Sequence, residues 1–105
     1  INVIQNKFNI RIRSFGHAGD GNLHVYILRD NLPENEWKEK LKNIFDAFYS
    51  KASELQGLVS GEHGIGYAKK DYMLKQFGEE HVKIMRGIKN VFDPKNILNP
   101  GKVCE

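Results

Sequence analysis

The sequence predicts an α+β fold, an antiparallel sheet with helices packed on one face, and three observations predict it. Two strand-like segments, Phe8 to Ile12 and about residues 23–28, flank the turn-forming dipeptide Asp20-Gly21. A long stretch over residues 30–57 carries apolar residues at steps of three and four. Two further stretches of helical period, about residues 67–77 and 79–92, fill most of the second half of the chain.

In the first segment Phe8, Ile10 and Ile12 alternate with Asn9 and Arg11, the period of a half-buried strand. Asp20-Gly21 suits a two-residue type I′ turn, because both residue types tolerate positive φ. That turn sets a register of Gly19 opposite Asn22, Ala18 opposite Leu23 and His17 opposite His24, with opposed Cβ atoms about 5 Å apart. One face then carries Phe8, Ile10, Ile12, Ala18, Leu23, Val25 and Ile27 and is the core side. The other carries Arg11, Arg13, Phe15, His17, His24, Tyr26 and Leu28.

The long helix has Pro33 in its first turn, the early acids Glu34 and Glu36, and Gly57 as its stop. Its apolar positions Trp37, Leu41, Ile44, Phe45, Phe48, Ala52 and Leu55 form a core stripe. "GLVSGEHGIG" reads as a short strand entering a glycine-rich loop. The last two helices separate near Gly78, with Val82, Met85, Ile88 and Phe92 expected on the buried side of the second. Asp93-Pro94 ends that helix, and "KNILNPGKVCE" is an irregular tail.

A chain of 105 residues suffices for one domain with a modest core, or for part of one. The net charge of +3 is spread, lysines and arginines alternating with acids and forming no basic block, so nucleic-acid binding is set aside. Cys104 is the only cysteine, so no internal disulfide can form and nothing argues for an oxidising compartment. No apolar run approaches the roughly 18 residues of a transmembrane segment, and no secretory leader is visible. These features lead to a cytoplasmic expectation. The first residue is not Met and strand-like alternation begins almost at once, which suggests a piece of a longer chain.

Three of the four histidines lie in two short glycine-containing motifs. An opposed pair, His17 and His24, supplies two nitrogen ligands suited to a divalent metal, and Glu62 in "SGEHGIG" is the candidate third, oxygen, ligand. Three protein ligands with one open position is the pattern of a catalytic metal. The spacing alone matches many sequences by chance, so structural histidines stay an open alternative. His63, between glycines and next to Glu62, has two readings. Imidazole titrates near neutrality and can take a proton from a substrate hydroxyl, or the ring can serve only to hold the loop. His81 sits at a polar helical position and receives no role. "GDG" and "GEHGIG" match neither the dinucleotide fingerprint nor the P-loop, so a nucleotide phosphate site is not expected there.

The motifs "GHAGDGNLH", then "SGEHGIG" with Lys69 shortly after, then "FDPKNILNPGK", in that order, resemble the C-terminal part of the FAD-linked oxidase family. That family includes the glycolate oxidase FAD subunit, D-lactate dehydrogenase and D-2-hydroxyglutarate dehydrogenase, and the resemblance runs from about Phe15 to Val103. It implies that residues 1–105 are the last portion of an α+β substrate (cap) domain, preceded in the whole protein by an FAD domain. It implies a divalent ion, usually zinc, on His17, His24 and Glu62, and His63 as the base that removes the hydroxyl proton while hydride leaves for the flavin. It also places Asn99 near the flavin.

One departure bears on substrate. Tyr26 stands where hydroxyglutarate-type relatives tend to have asparagine, so the expected substrate is a small, lactate- or glycolate-like D-2-hydroxy acid. The residues that grip its carboxylate would lie before Ile1, and Arg11 and Arg13 are read as solvated. The electron acceptor after the flavin is unknown, and a membrane-peripheral location of the whole enzyme stays open. Without the flavin domain the chain is expected to be inactive. The rival readings are a stand-alone metal-binding module and a metal-dependent hydrolase with Glu62 as base.

Overall fold

The computed structural model describes all residues, 1–105, and they form two compact units, Ile1–Gly57 and Leu58–Glu105. The first unit contains α1 (Asn2–Phe8), β1 (Ile12–His17), β2 (Asn22–Ile27) and α2 (Glu34–Glu54). The second contains α3 (Lys70–Phe77) and α4 (Glu79–Phe92). Strands β1 and β2 pair antiparallel as a two-stranded sheet, so the α+β class holds.

The expected strand over residues 8–12 is corrected. Residues 2–8 are helical, and Ile4 and Phe8, four apart, place their side chains against the core from α1. Asn9 ends the helix in the left-handed conformation at φ 45°, which asparagine tolerates better than most residues. The Gln5 side chain then accepts the Ile12 amide at 2.8 Å, satisfying the first donor of β1 from the preceding helix. Ile10 and Ile12 are buried as expected, but only Ile12 belongs to a strand.

In the first unit, Ile4, Ile10, Ile12 and Ile44 form the buried cluster, with Val25, Ile27, Trp37 and Phe48 packed against it. Ile44 is completely buried, a burial that stabilises by roughly 2 kcal/mol. The α2 stripe is narrower than the sequence suggests. Leu55 lies outside the last turn and is exposed, and Phe45 sits at the edge of the buried face. Arg11 and Asp30 form a bidentate ion pair joining the residue before β1 to the segment after β2. That hydrogen bonding holds the Asp30 carboxyl below its usual range.

In the second unit, residues 57–60 do not form the expected strand. Such a segment needs a partner for its donors, and here the Val59 amide donates to the Gln76 side-chain oxygen at 3.1 Å instead of to a neighbouring strand. The core is Met73, Val82 and Cys104, with Ile65, Met85 and Val103 against it. Helix α4 therefore buries Val82 and partly buries Met85 as expected but not Ile88 or Phe92, which are 58% and 80% exposed. Its apolar residues fall on two stripes. Val82 and Met85 face inward, while Ile84, Ile88, Val91 and Phe92 form a second, outward stripe at helical spacing.

Asp93 closes α4 and organises the tail. Its buried carboxylate accepts from Lys89 Nζ at 2.8 Å and from the backbone amides of Ile97 and Leu98 at 3.0 and 2.9 Å. Lys89 also reaches the Glu105 carboxylate at 3.0 Å. The Lys89 hydrogen bond first, then the two amides, overcome the cost of burial and lower the Asp93 pKa to about 2. Because this value lies below that of an unfolded carboxylate, about 3.9, the ionised Asp93 stabilises the native state above pH 4. That contribution fades as pH falls from about 4 to about 2. We expect Asp93→Asn to be less stable than wild type in urea unfolding at pH 6, with the gap narrowing steadily between pH 4 and pH 2. A pH-independent gap would mean that the carboxylate charge has no part in holding the tail.

Candidate functional site

The hairpin of the first unit carries the histidine pair, and its register differs from the expected one. His17 pairs with Asn22, and His24 pairs with Phe15. The loop comprises residues 18–21 rather than Asp20-Gly21 alone. A type I′ turn needs positive φ at both central residues, but here only Gly21 has it, at 68°. The chain instead turns at His17–Asp20, with the Asp20 amide donating to the His17 carbonyl, and Gly21 in the left-handed region completes the reversal. The Asp20 carboxylate also accepts the Asn22 amide.

The displacement is two residues, an even number, so every side chain stays on its expected face. His17 and His24 become diagonal neighbours rather than opposed ones. Their ring centroids are 6.2 Å apart with planes at 79°, an edge-to-face arrangement that leaves both rings on one side of the sheet. The Phe15 ring stacks on His24 at 5.3 Å and 26° and on Tyr26 at 5.3 Å and 17°. The sequence placed Phe15 on this face but carried no sign of its ring contacts, which the two-residue register change produces by setting it directly across from His24.

Gly16 is what lets the strands close here. A Cβ at this position would lie 2.0 Å from the Asn22 carbonyl oxygen and 3.0 Å from the Leu23 Cα, both backbone atoms that cannot swing aside.

Glu62 and His63 lie in the loop between Val59 and Ile65, with Glu62 Oε1 3.8 Å from His63 Nε2. Gly64 has φ 77°, a backbone conformation an L side chain resists, and it lets the loop turn directly after His63. The Gly66 carbonyl accepts the Val103 amide at 2.7 Å, which ties the tail to the far end of this loop. Lys69 reaches the Ser60 hydroxyl at 3.4 Å and Lys70 the Gly101 carbonyl at 3.3 Å. The Tyr67 ring has the Lys70 and Lys102 ammonium groups at 4.9 and 5.3 Å, a cation–π cluster that residue spacing did not reveal. Asn99 sits in an exposed bend of the tail with φ 48°.

The structure thus brings His17 to His24 in one unit and Glu62 to His63 in the other. An open groove of about 630 Å³ in the first unit is lined by Gln5, Arg11, Arg29 and Asp30 among others, and contains none of the candidate residues.

Comparison with known proteins agrees with these motifs. The profile of the family "FAD linked oxidases, C-terminal domain" matches residues 1–103. The D-lactate dehydrogenase of Anaerostipes hadrus is 48% identical over 101 residues, covering 96% of this chain and 21% of the relative. The glycolate oxidase subunit GlcD of Bacillus subtilis is 44% identical over 103 residues, covering 98% of this chain and 22% of the relative. A D-2-hydroxyglutarate dehydrogenase of Stutzerimonas stutzeri is 38% identical over 90 residues, covering 85% and 19%. The chain belongs to the FAD-linked oxidase family, within its C-terminal domain, and spans about a fifth of the length of these curated relatives.

Replacing Gly16 with alanine should force the strands apart at Asn22, destabilising the unit by roughly 2 kcal/mol, a typical cost of overpacking. Urea unfolding measures the loss, and weakened cross-strand nuclear Overhauser contacts between Phe15 and His24 locate it. An unperturbed hairpin in this variant would refute the assigned register.

Proposed function

We propose that this chain is the C-terminal part of the substrate domain of an FAD-dependent dehydrogenase or oxidase that converts a small D-2-hydroxy acid, lactate- or glycolate-like, to the 2-oxo acid. His17, His24 and Glu62 are its metal ligands, with zinc the first candidate. The convergence of the two imidazoles on one face of the hairpin carries this reading. Two nitrogens and one carboxylate oxygen are the donor set of a catalytic zinc with one position left for substrate. A divalent ion so held supplies Lewis acidity, which makes a neighbouring substrate hydroxyl easier to deprotonate.

His63 is the base in this proposal. Its imidazole nitrogen takes the hydroxyl proton, and the ring lies next to the Glu62 carboxylate, 3.8 Å away. FAD, bound mainly by a preceding domain, supplies the hydride acceptor, so proton and hydride together remove two electrons from the α-carbon. Asn99 faces the flavin side in this scheme, its exposed amide able to donate and accept. Tyr26, exposed and stacked on Phe15 on the histidine face, supports the preference for a short substrate by adding bulk there.

Two further observations fit the proposed partners. The outward stripe of α4 leaves Ile84, Ile88, Val91 and Phe92 more than half exposed, an apolar surface suited to packing against the flavin domain. No helix is long and apolar enough to cross a membrane. The proposal locates the enzyme in the cytoplasm, or at a membrane surface if its electron acceptor resides there. The stand-alone module and the hydrolase lose ground, since the relatives are named as dehydrogenases and an oxidase subunit and are about five times as long.

Titration of this chain with Zn2+ by calorimetry should show binding that His17→Ala and Glu62→Ala each weaken tenfold or more. Equal affinity in all three would remove the metal assignment. In the full-length flavoprotein, His63→Ala should slow flavin reduction by substrate by about 100-fold or more while leaving metal content unchanged. An unaltered reduction rate would exclude His63 as the base.

A further inference from the structure

Phe15 has no donor atom, yet its ring stacks on two others on the histidine face. It lies directly opposite His24 across the sheet, and its ring stacks on those of His24 and Tyr26, with both centroids at 5.3 Å. Both stacks are close to parallel, at 26° and 17°. Three aromatic rings therefore form a continuous layer with Phe15 at its centre. Phe15 itself is 59% exposed, so burial alone is a weak reason for an aromatic ring at this place.

The consequence for His24 is geometric. An imidazole on a strand can occupy several χ1 wells and can rotate broadly about χ2. A flat ring stacked against one of its faces removes the orientations that would turn that face outward. Of those that remain, the one seen here presents the edge of one imidazole to the face of the other, with centroids 6.2 Å apart. A ligand already held in its bound orientation loses less freedom on binding and so binds more tightly. Such support usually comes from a hydrogen bond to the distal ring nitrogen, and a stacking partner can restrict the same rotation from the ring face.

We propose that Phe15 is a positioning residue for His24, stacking on the imidazole so that it is oriented toward His17 before a divalent cation arrives. This rests on the metal reading given above. Phe15→Leu keeps an apolar, strand-compatible side chain but removes the flat ring, and Phe15→Trp restores one.

The test has two arms on the 105-residue chain, with backbone amide spectra to verify that the hairpin pairing persists in each variant. In the metal-free chain, side-chain couplings should show one dominant χ1 rotamer of His24 in wild type and in Phe15→Trp, and averaging in Phe15→Leu. In calorimetric titration with Zn2+ alone, Phe15→Leu should bind roughly tenfold more weakly than wild type, the lower range for residues that support a ligand, and Phe15→Trp should recover most of the loss. Unchanged His24 couplings in Phe15→Leu would overturn the positioning role. Equal zinc affinity in wild type and Phe15→Leu, with wild type binding, would also overturn it while leaving the metal reading intact. Absence of zinc binding by wild type overturns the metal reading itself, and Phe15's part in it falls too.

Discussion

The backbone at Gly16 approaches the Asn22 carbonyl so closely that no methyl group fits between them, and the placement of side chains on the hairpin depends on that approach. With the strands locked here, Phe15 must lie across from His24 and His17 across from Asn22. An odd displacement of the pairing would send one histidine to the core face and destroy the pair. The turn alone would not prevent it, since four-residue loops admit more than one closure. The glycine contact and the buried Ile12 at the other end of β1, paired with Ile27, exclude it together.

Each unit has few fully buried residues, so polar connections matter more than they would in a larger domain. In the first unit the Gln5 side chain and the Arg11–Asp30 pair bind the strand start to its flanking segments. In the second, Asp93 gathers an ammonium group and two amides at the end of α4, and the tail beyond it returns to pair Val103 with Gly66. The segments bearing Glu62, His63 and Asn99 have no regular secondary structure. Their conformations rest on these individual hydrogen bonds and on glycines such as Gly64 that accept left-handed backbone.

Family membership and chemistry stand on different footings. The family profile and the order of the motifs place the chain among the FAD-linked oxidases, and the relatives it matches are named for lactate, glycolate and 2-hydroxyglutarate. Function within such a family is set by the side chains around the reacting carbon. In the function proposed above those are an imidazole pair, a carboxylate with an adjoining imidazole, and the stacked rings beside them.

Residue order alone was enough to identify α2, α3 and α4, the hairpin, the face bearing His17 and His24, and the family, because helical period, strand alternation and glycine-flanked motifs are local properties. It misjudged what depends on partners distant in the chain. The alternation at Phe8 to Ile12 was equally compatible with Ile4 and Phe8 on a helix, and the choice fell to the helix when Asn9 turned left-handed and Gln5 reached Ile12. Ile88 and Phe92 looked buried because α4 is apolar on two sides, and packing against Met73 and Cys104 uses only one of them. The register moved by two residues because the chain turns at His17–Asp20 with only Gly21 at positive φ there, and in that register the Gly16 backbone closes on the Asn22 carbonyl. Composition and spacing could thus name candidate groups for a site, whereas ring stacking and strand alignment arise only when the backbone closes, since they are set by contacts between residues that the linear pattern keeps apart.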